Sequence, residues 1–479
     1  MPPPDDYSFM STLNPLTRRT ALIVASAAFM QMLDGAILNT SLPQMAQSLG
    51  VKPVQMSAGI TTYMLVVAAL MPLSAWLADR FGALRIFLGA ILIFTLGSLA
   101  CALAQSLPQF ILARMLQGVG GAMMVPVGRI IVLRQASKQE LLEASAVLIW
   151  PALFAPVLGP VLGGFITTYA GWRWNFLLNL PIGLVGFLLA SLFLPHTQVE
   201  PPGAFDWSGF LYTAGALGLA LYGLESLGHG AIARPLPWLL IGAGFALSLL
   251  AVRHLRRVTH PLLDLRTFKI QSFALSTLSA GTWIRIAISA TPFLLPLLYQ
   301  MAFGLSALGA SSFLFAYFAG NLGMKAITTR TLRAFGFRRV LFLNGVLCGL
   351  SIAACGLFGE ETAHGWMFAS LFFAGLTRSM EFTALGSFAF ADVDARDRSS
   401  ASTLTSMFQQ LAMLLGVALA ALLLHVTPAL RGHAQPDLTD FRIAFLLSGL
   451  LALVAACQFL RLPPAAGAEV SGHRPEGNG

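Results

Sequence analysis

Long apolar stretches separated by short polar breaks dominate the chain. Fourteen of them lie near residues 20–41, 57–78, 86–105, 109–132, 144–168, 174–194, 206–227, 237–252, 272–298, 309–328, 340–358, 366–388, 404–425 and 441–460. Each approaches the ~20 apolar residues that cross a bilayer as a helix. Runs this long exclude a β-barrel, whose strands alternate over about ten residues. The pattern predicts an all-α polytopic membrane protein with 14 transmembrane helices, joined by loops too short to hold a soluble domain.

Composition agrees. Asp, Glu, Lys and Arg make up 10% of the 479 residues and apolar types 56%, whereas a soluble domain carries about 25% charged residues. Mean hydropathy is +0.75. A cytosolic enzyme, a disordered chain and a disulfide scaffold are excluded. The four cysteines, Cys101, Cys348, Cys355 and Cys457, fall inside apolar runs without metal-ligand spacing, and read as packing residues.

The net charge of +9 becomes a topology signal once its distribution is considered. With the N-terminus cytoplasmic, most Lys and Arg fall in cytoplasmic segments, while the outside loops carry Lys52, Arg173, Arg234, Arg431 and Arg442. Both termini are therefore expected inside, and the basic balance does not call for nucleic acid. The first 19 residues are polar and Pro-rich, and the run after them is too long for a cleaved signal. The tail from 462 is rich in Pro and Gly.

Two short stretches resemble each other: Asp79-Arg80-Phe81-Gly82-Ala83-Leu84-Arg85 and Arg333-Ala334-Phe335-Gly336-Phe337-Arg338-Arg339. Both are basic turns built around Phe-Gly, where glycine permits a tight reversal and arginine can bond helix-ending carbonyls. Their placement predicts two six-helix halves, 20–194 and 270–461, with a linker at 195–269 holding a central helical pair. Repeated bundles with a site between them typify secondary transporters. Any short turn between helices, however, also favours Gly and Arg.

Several stretches are more specific. Ser74-Ala75-Trp76-Leu77-Ala78-Asp79-Arg80-Phe81-Gly82 resembles the loop 2–3 motif of the major facilitator superfamily, with Ala75 at the first glycine position. Leu112-Ala113-Arg114-Met115-Leu116-Gln117-Gly118-Val119-Gly120-Gly121-Ala122 resembles its span 4 motif, and the stretch from Ala155 to Gly164 its span 5 antiporter motif. Leu33-Asp34-Gly35-Ala36-Ile37-Leu38-Asn39-Thr40-Ser41-Leu42-Pro43 is similar to the first span of the fourteen-span drug:proton antiporters. Trp172-Arg173-Trp174-Asn175-Phe176 and Phe205-Asp206-Trp207-Ser208-Gly209 fit the same subfamily, and Gln117 to Arg129 resembles the MdtD-type exporters. The resemblance runs along nearly the whole chain, in order.

Charges at membrane depth are costly and mark function. Asp34 lies well inside the first run and is the candidate proton site or cation contact, its alternative a static ion pair with Arg114. Arg114 cannot readily deprotonate, so it would bias a nearby carboxylate or snorkel outward. Gln117, one turn on, shares its face. Asn39 offers either a helix–helix hydrogen bond or a cavity contact. Gln117, Arg285 and Arg378 are candidate substrate-cavity residues. Arg378 and Glu381 are three apart and predicted to form an internal ion pair, with Glu381 as a second proton or substrate site. Lys325 and Glu225 read as interfacial. Asp79, Arg80, Gly82 and Arg85 form the candidate gating loop, in which the resemblance implies a contact between halves. In the second copy Arg333 replaces the acid. Pro156, Gly159, Pro160, Gly163 and Gly164 would seal the interface between halves, or form a packing kink.

These residues imply a proton-driven exporter of amphipathic or cationic small molecules, working by alternating access in a bacterial inner membrane. It would be monomeric and need no cofactor beyond the proton gradient; the sequence names no envelope adaptor. Uptake by symport and a non-transporting sensor are the alternatives. A membrane enzyme would need a constellation such as His-Glu-x-x-His. The eight histidines (196, 229, 254, 260, 364, 425, 433 and 473) show none, nor is there a Gly-x-x-x-x-Gly-Lys phosphate loop.

Overall fold

The computed structural model describes residues 14–136, 140–195, 204–228, 234–259, 261–394, 397–433, 435–463, 465–471 and 473. The ends of both tails, His196, His229, His260 and the side chain of Glu225 lie outside the described residues. Every one of the fourteen apolar runs is helical, and no strand occurs among the described residues.

The main helices are α1 (Pro15–Leu49), α2 (Ser57–Phe81), α3 (Ala83–Leu103), α4 (Leu107–Gln135), α5 (Leu141–Tyr169), α6 (Asn179–Phe193) and α7 (Trp207–Gly228). They continue as α8 (Pro235–Leu255), α9 (Ala280–Leu297), α10 (Ala307–Gly323), α11 (Thr328–Cys355), α12 (His364–Phe388), α13 (Arg398–Leu430) and α14 (Leu438–Cys457). A short helix, Arg173–Leu177, precedes α6. Among the described residues, ten helices are long and apolar enough to cross a membrane by length and composition.

Helix ends follow local chemistry. Asn14 accepts from the Leu16 amide and Pro15 opens α1, while Gly50 closes it in the left-handed region at φ +68°. Ser306 caps α10 through the Gly309 amide at 3.1 Å. Asp437 and Asp440 form a reciprocal capping box at the start of α14. The two Phe-Gly turns have one geometry: Gly82 sits at φ +91° between α2 and α3, and Gly336 at φ +70° interrupts α11. A side chain is strained at both. Arg338 donates to the Leu460 carbonyl at 3.1 Å, so the second turn holds the end of a different helix.

The ninth apolar run is broken. A turn at Gln271–Phe273 passes into a π-helical segment, Ala274–Leu278, then a kink at Ser279, and α9 itself holds Pro292 and Pro296. Such breaks expose carbonyls that need partners.

Helices α1 to α6 pack on one another, α1 chiefly against α5 and α3 against α4 and α6. In the second group α9 packs on α13 and α14, α10 on α12, and α11 on α12 and α14. The groups meet where α5 lies on α10 and α2 on α13, and the α7–α8 hairpin leans on α2 and α13. The turn at Asp79 meets the start of α7 through Trp76, Phe205 and Trp207, and the start of α7 meets the end of α8 through Asp206 and His254; this side, with Arg80, Arg253, Arg256 and Arg257, is hereafter the basic end. Cys101, Cys348 and Cys355 are buried as packing residues, whereas Cys457 is exposed.

Candidate functional site

The first polar cluster is built on α1, α3, α4 and α6. Arg114 donates to Asp34 Oδ2 at 2.7 Å, and both side chains are about 1% exposed. Gln117 and Asn179 donate to Asp34 Oδ1 at 2.9 and 2.7 Å. Both amides also donate to Ser98, at 2.7 and 3.1 Å. Arg114 further bonds the Gln117 side-chain oxygen at 2.5 Å and the Gly59 carbonyl at 3.3 Å, and its guanidinium lies 4.3 Å from the Tyr63 ring centre. The acid thus has charge-assisted partners at both oxygens, which makes a charge at this depth tolerable.

Helical spacing explains the assembly. Arg114 and Gln117 are one turn apart on α4 and face the same way. Small residues let the helices close: a Cβ at Gly97 would meet the Gln117 backbone at 2.7 Å, and one at Gly120 the Ala90 carbonyl of α3 at 2.6 Å. Asn179, Ser98 and Tyr63 were not singled out by sequence. The available signal for Asn179 was an amide in an apolar run two residues before Pro181. Asn39, half-buried on α1, lies outside this network.

The second cluster sits between α9, α11 and α12. Glu381 is fully buried and accepts from Asn344 at 2.7 Å through Oε2, while Oε1 has no hydrogen-bond partner. Arg285, 2% exposed, donates to the Ser276 carbonyl at 2.6 Å and leaves Nε without a partner. It therefore satisfies a carbonyl released by the break before α9. Arg378 and Glu381 do not form the predicted ion pair. Arg378 instead stacks over Tyr317, Phe318 and Phe382, with ring centres 5.4, 5.2 and 5.6 Å away. Aromatic faces on two helices hold the cation, and Asn344 holds the acid.

At the basic end Asp79 pairs with Arg134 of α4 at 2.7 Å, both about one-third exposed, so this contact lies within the first helix group. Arg80 stacks over Trp76 and Phe81, Gly82 supplies the turn, and Arg85 is exposed. Trp76 also packs on Phe205 and Trp207, tying this loop to the start of α7. There Asp206 accepts from His254 at 2.7 Å and from the Gly209 and Leu262 amides. Burial raises the carboxyl of Asp206, but the Gly209, His254 and Leu262 hydrogen bonds outweigh it and hold it below the usual carboxylate range. Lys325 bonds Thr383 at 2.6 Å.

The span 5 motif divides its contacts. Gly159 and Gly163 face α1, where a Cβ at Gly163 would meet the Ile37 carbonyl at 2.7 Å. Gly164 faces α10, against Ser311 and the Ala307 carbonyl. Pro156 is half-buried and Pro160 buried in the same helix. Further contacts across the two groups lie near Gly164, away from the basic end: Leu308 N to Thr168 at 3.3 Å and Gln300 to the Thr40 carbonyl at 3.0 Å.

Comparison with known proteins fits this geometry. The family model of the Major Facilitator Superfamily matches residues 24–416 and 278–478. The chain is 36% identical to the "Putative multidrug resistance protein MdtD" of Pectobacterium atrosepticum, over 92% of this chain and 95% of that one. It is 37% identical to the protein of the same name from Shigella boydii serotype 4, over 95% and 96%. Among solved structures, the fold matches the POT family transporter PepTSo with a TM-score of 0.68 at 14% identity, covering 95% of this chain and 98% of that one. An auto-inhibited POT family peptide transporter matches with a TM-score of 0.69 at 16% identity, over 93% and 97%. At those identities the likeness concerns the fold. From the breadth of the family match and the relatives along nearly its full length, the chain belongs to the Major Facilitator Superfamily and is a membrane transporter rather than an enzyme.

Proposed function

We propose that the protein is a proton-driven antiporter that exports amphipathic or cationic small molecules from a bacterial cell. In this reading it crosses the inner membrane fourteen times with both termini in the cytoplasm. Its two six-helix halves, 20–194 and 270–461, rock about a site between them, and the α7–α8 pair braces their side.

The observation that carries the proposal is the buried Asp34–Arg114 pair. Arg114 stays charged, so the charge of the pair is set by Asp34. Protonating Asp34 leaves the guanidinium unpaired and weakens the bonds that join α1, α4 and α6. A proton taken up on one side can therefore alter helix packing before it leaves on the other. Gln31 lies beside this network, bonded to Tyr63, with its Oε1 buried and unpartnered. Glu381 likewise has a free oxygen in the second half. The relatives named as multidrug resistance proteins support export as the direction.

The test is transport by the purified protein in vesicles with an imposed pH gradient, using a panel of lipophilic cations and neutral amphiphiles. The proposal expects uphill movement of some of them, lost when the gradient is collapsed. Movement in the same direction as the protons would favour symport.

A further inference from the structure

The connection from α8 into the broken ninth helix carries a short 3₁₀ turn, Leu265–Lys269, capped by Asp264. It encloses a cleft of about 710 Å³ at the basic end, apart from both polar clusters. Leu255, Val258, Leu265 and Phe268 give it an apolar floor, and Arg256, Arg266 and Lys269 stand around it. Asp264 is the acid in its lining, and that carboxylate is already taken by the Arg266 side chain and amide, with contacts from 2.6 to 3.0 Å. Arg256 and Lys269 are exposed, and neither makes an ion pair among the described residues. Two uncommitted cations thus overlook an apolar floor.

A second observation says what kind of molecule fits. Phe245, Leu249 and Val252 are 67%, 57% and 38% exposed on α8 and follow one helical face. One turn further on, the same stripe ends at Arg256. It runs about 16 Å at 1.5 Å per residue, comparable with half of a hydrocarbon core about 30 Å thick. Only 17% of the apolar window of α8 is buried. A free phosphate would use the cations but neither the floor nor the stripe. A basic bias that merely orients the chain needs no concave site.

We propose that this cleft binds the phosphate headgroup of an anionic membrane phospholipid, with Arg256 and Lys269 on the phosphate and an acyl chain along Phe245, Leu249 and Val252. Binding there would tie the linker to the membrane surface beside the Asp206–His254 contact. Basic pockets at helix ends on the cytoplasmic side are suited to such headgroups.

The experiment is native mass spectrometry of the full-length protein released from bilayers of phosphatidylcholine with and without phosphatidylglycerol. The wild type is expected to retain phosphatidylglycerol and not phosphatidylcholine. Arg256→Gln with Lys269→Gln should weaken retention about thirtyfold. Arg330→Gln with Arg333→Gln, which removes equal charge from the same end outside the cleft, should leave it unchanged. The charge-conserving Arg256→Lys with Lys269→Arg should also retain the lipid, which keeps the test decisive if the neutral variant folds poorly. Equal loss in the two neutral pairs, unchanged binding in the cleft pair, or displacement by millimolar inorganic phosphate would each overturn the proposal.

Discussion

Asp34 and Arg114 stand 80 positions apart in sequence and meet at 2.7 Å, with about 1% of either side chain exposed. Desolvating two charges is costly, and the return comes only when each has further hydrogen bonds. Gln117 and Asn179 provide these for the acid, and Gly59 and Gln117 for the cation, which also lies over the Tyr63 ring.

This coupling predicts a double-mutant result. Arg114→Gln leaves Asp34 buried without its cation and should destabilise the protein by about 3–5 kcal/mol. Adding Asp34→Asn to it removes the stranded charge and should recover a large part of that loss. Thermal unfolding in detergent measures both; additive losses would show that the two residues do not act as a pair.

Glu381 differs because one of its oxygens is unpartnered. Glu381→Gln keeps a carbonyl oxygen for Asn344, so stability should change by less than about 1 kcal/mol. Proton movement linked to substrate should fall clearly in the same variant. A stable variant with unaltered proton movement would place Glu381 outside the coupling.

The span 5 glycines should separate by the helix they touch. Gly163→Val pushes into the Ile37 carbonyl of α1 within the first helix group and should cost about 1–3 kcal/mol of stability. Gly164→Val pushes α5 away from Ser311 and the Ala307 carbonyl of α10. It should slow transport more than it lowers the melting temperature. Crosslinking between cysteines placed at Thr168 and Leu308 checks the interface, and an undiminished yield in the Gly164 variant would refute this division.

Asp206, the residue before α7 begins at Trp207, gives a pH dependence. Its carboxyl lies below the ordinary range in the folded protein, so the stability it contributes is present above the unfolded value of about 3.9. That contribution is lost as pH falls through the lower folded value. The α7–α8 hairpin should become protease-sensitive only in that acidic window, and Asp206→Asn should make it sensitive at neutral pH. Equal resistance of variant and wild type would contradict the Asp206–His254 contact as the anchor.

Much of this was legible in the sequence because the bilayer makes charge placement informative. Asp34, Arg114 and Gln117 stood out as polar groups in apolar runs, and the helices followed those runs. Helix ends were less legible: α1 reaches from Pro15 to Leu49, beyond the apolar 20–41, because Asn14 and Gly50 rather than hydropathy terminate it. Asn179 escaped notice because an uncharged amide at membrane depth is often only a packing contact, and its role needs α6 placed beside α1. The i, i+3 spacing of Arg378 and Glu381 misled because spacing cannot register the competing aromatic faces of Tyr317 and Phe318 on α10. The partner that Asp79 meets, Arg134, was not legible because it lies far away in sequence, at the end of α4.

The most direct measurement of the central claim is proton release on substrate addition, in purified Asp34→Asn protein compared with wild type. The variant retains a side-chain oxygen for Gln117 and Asn179 but cannot exchange a proton. The account predicts substrate-linked proton release from the wild type and its loss in the variant, with gradient-driven export falling to the level of empty vesicles while the protein stays folded. Export and proton release equal to the wild type would contradict Asp34 as the coupling site.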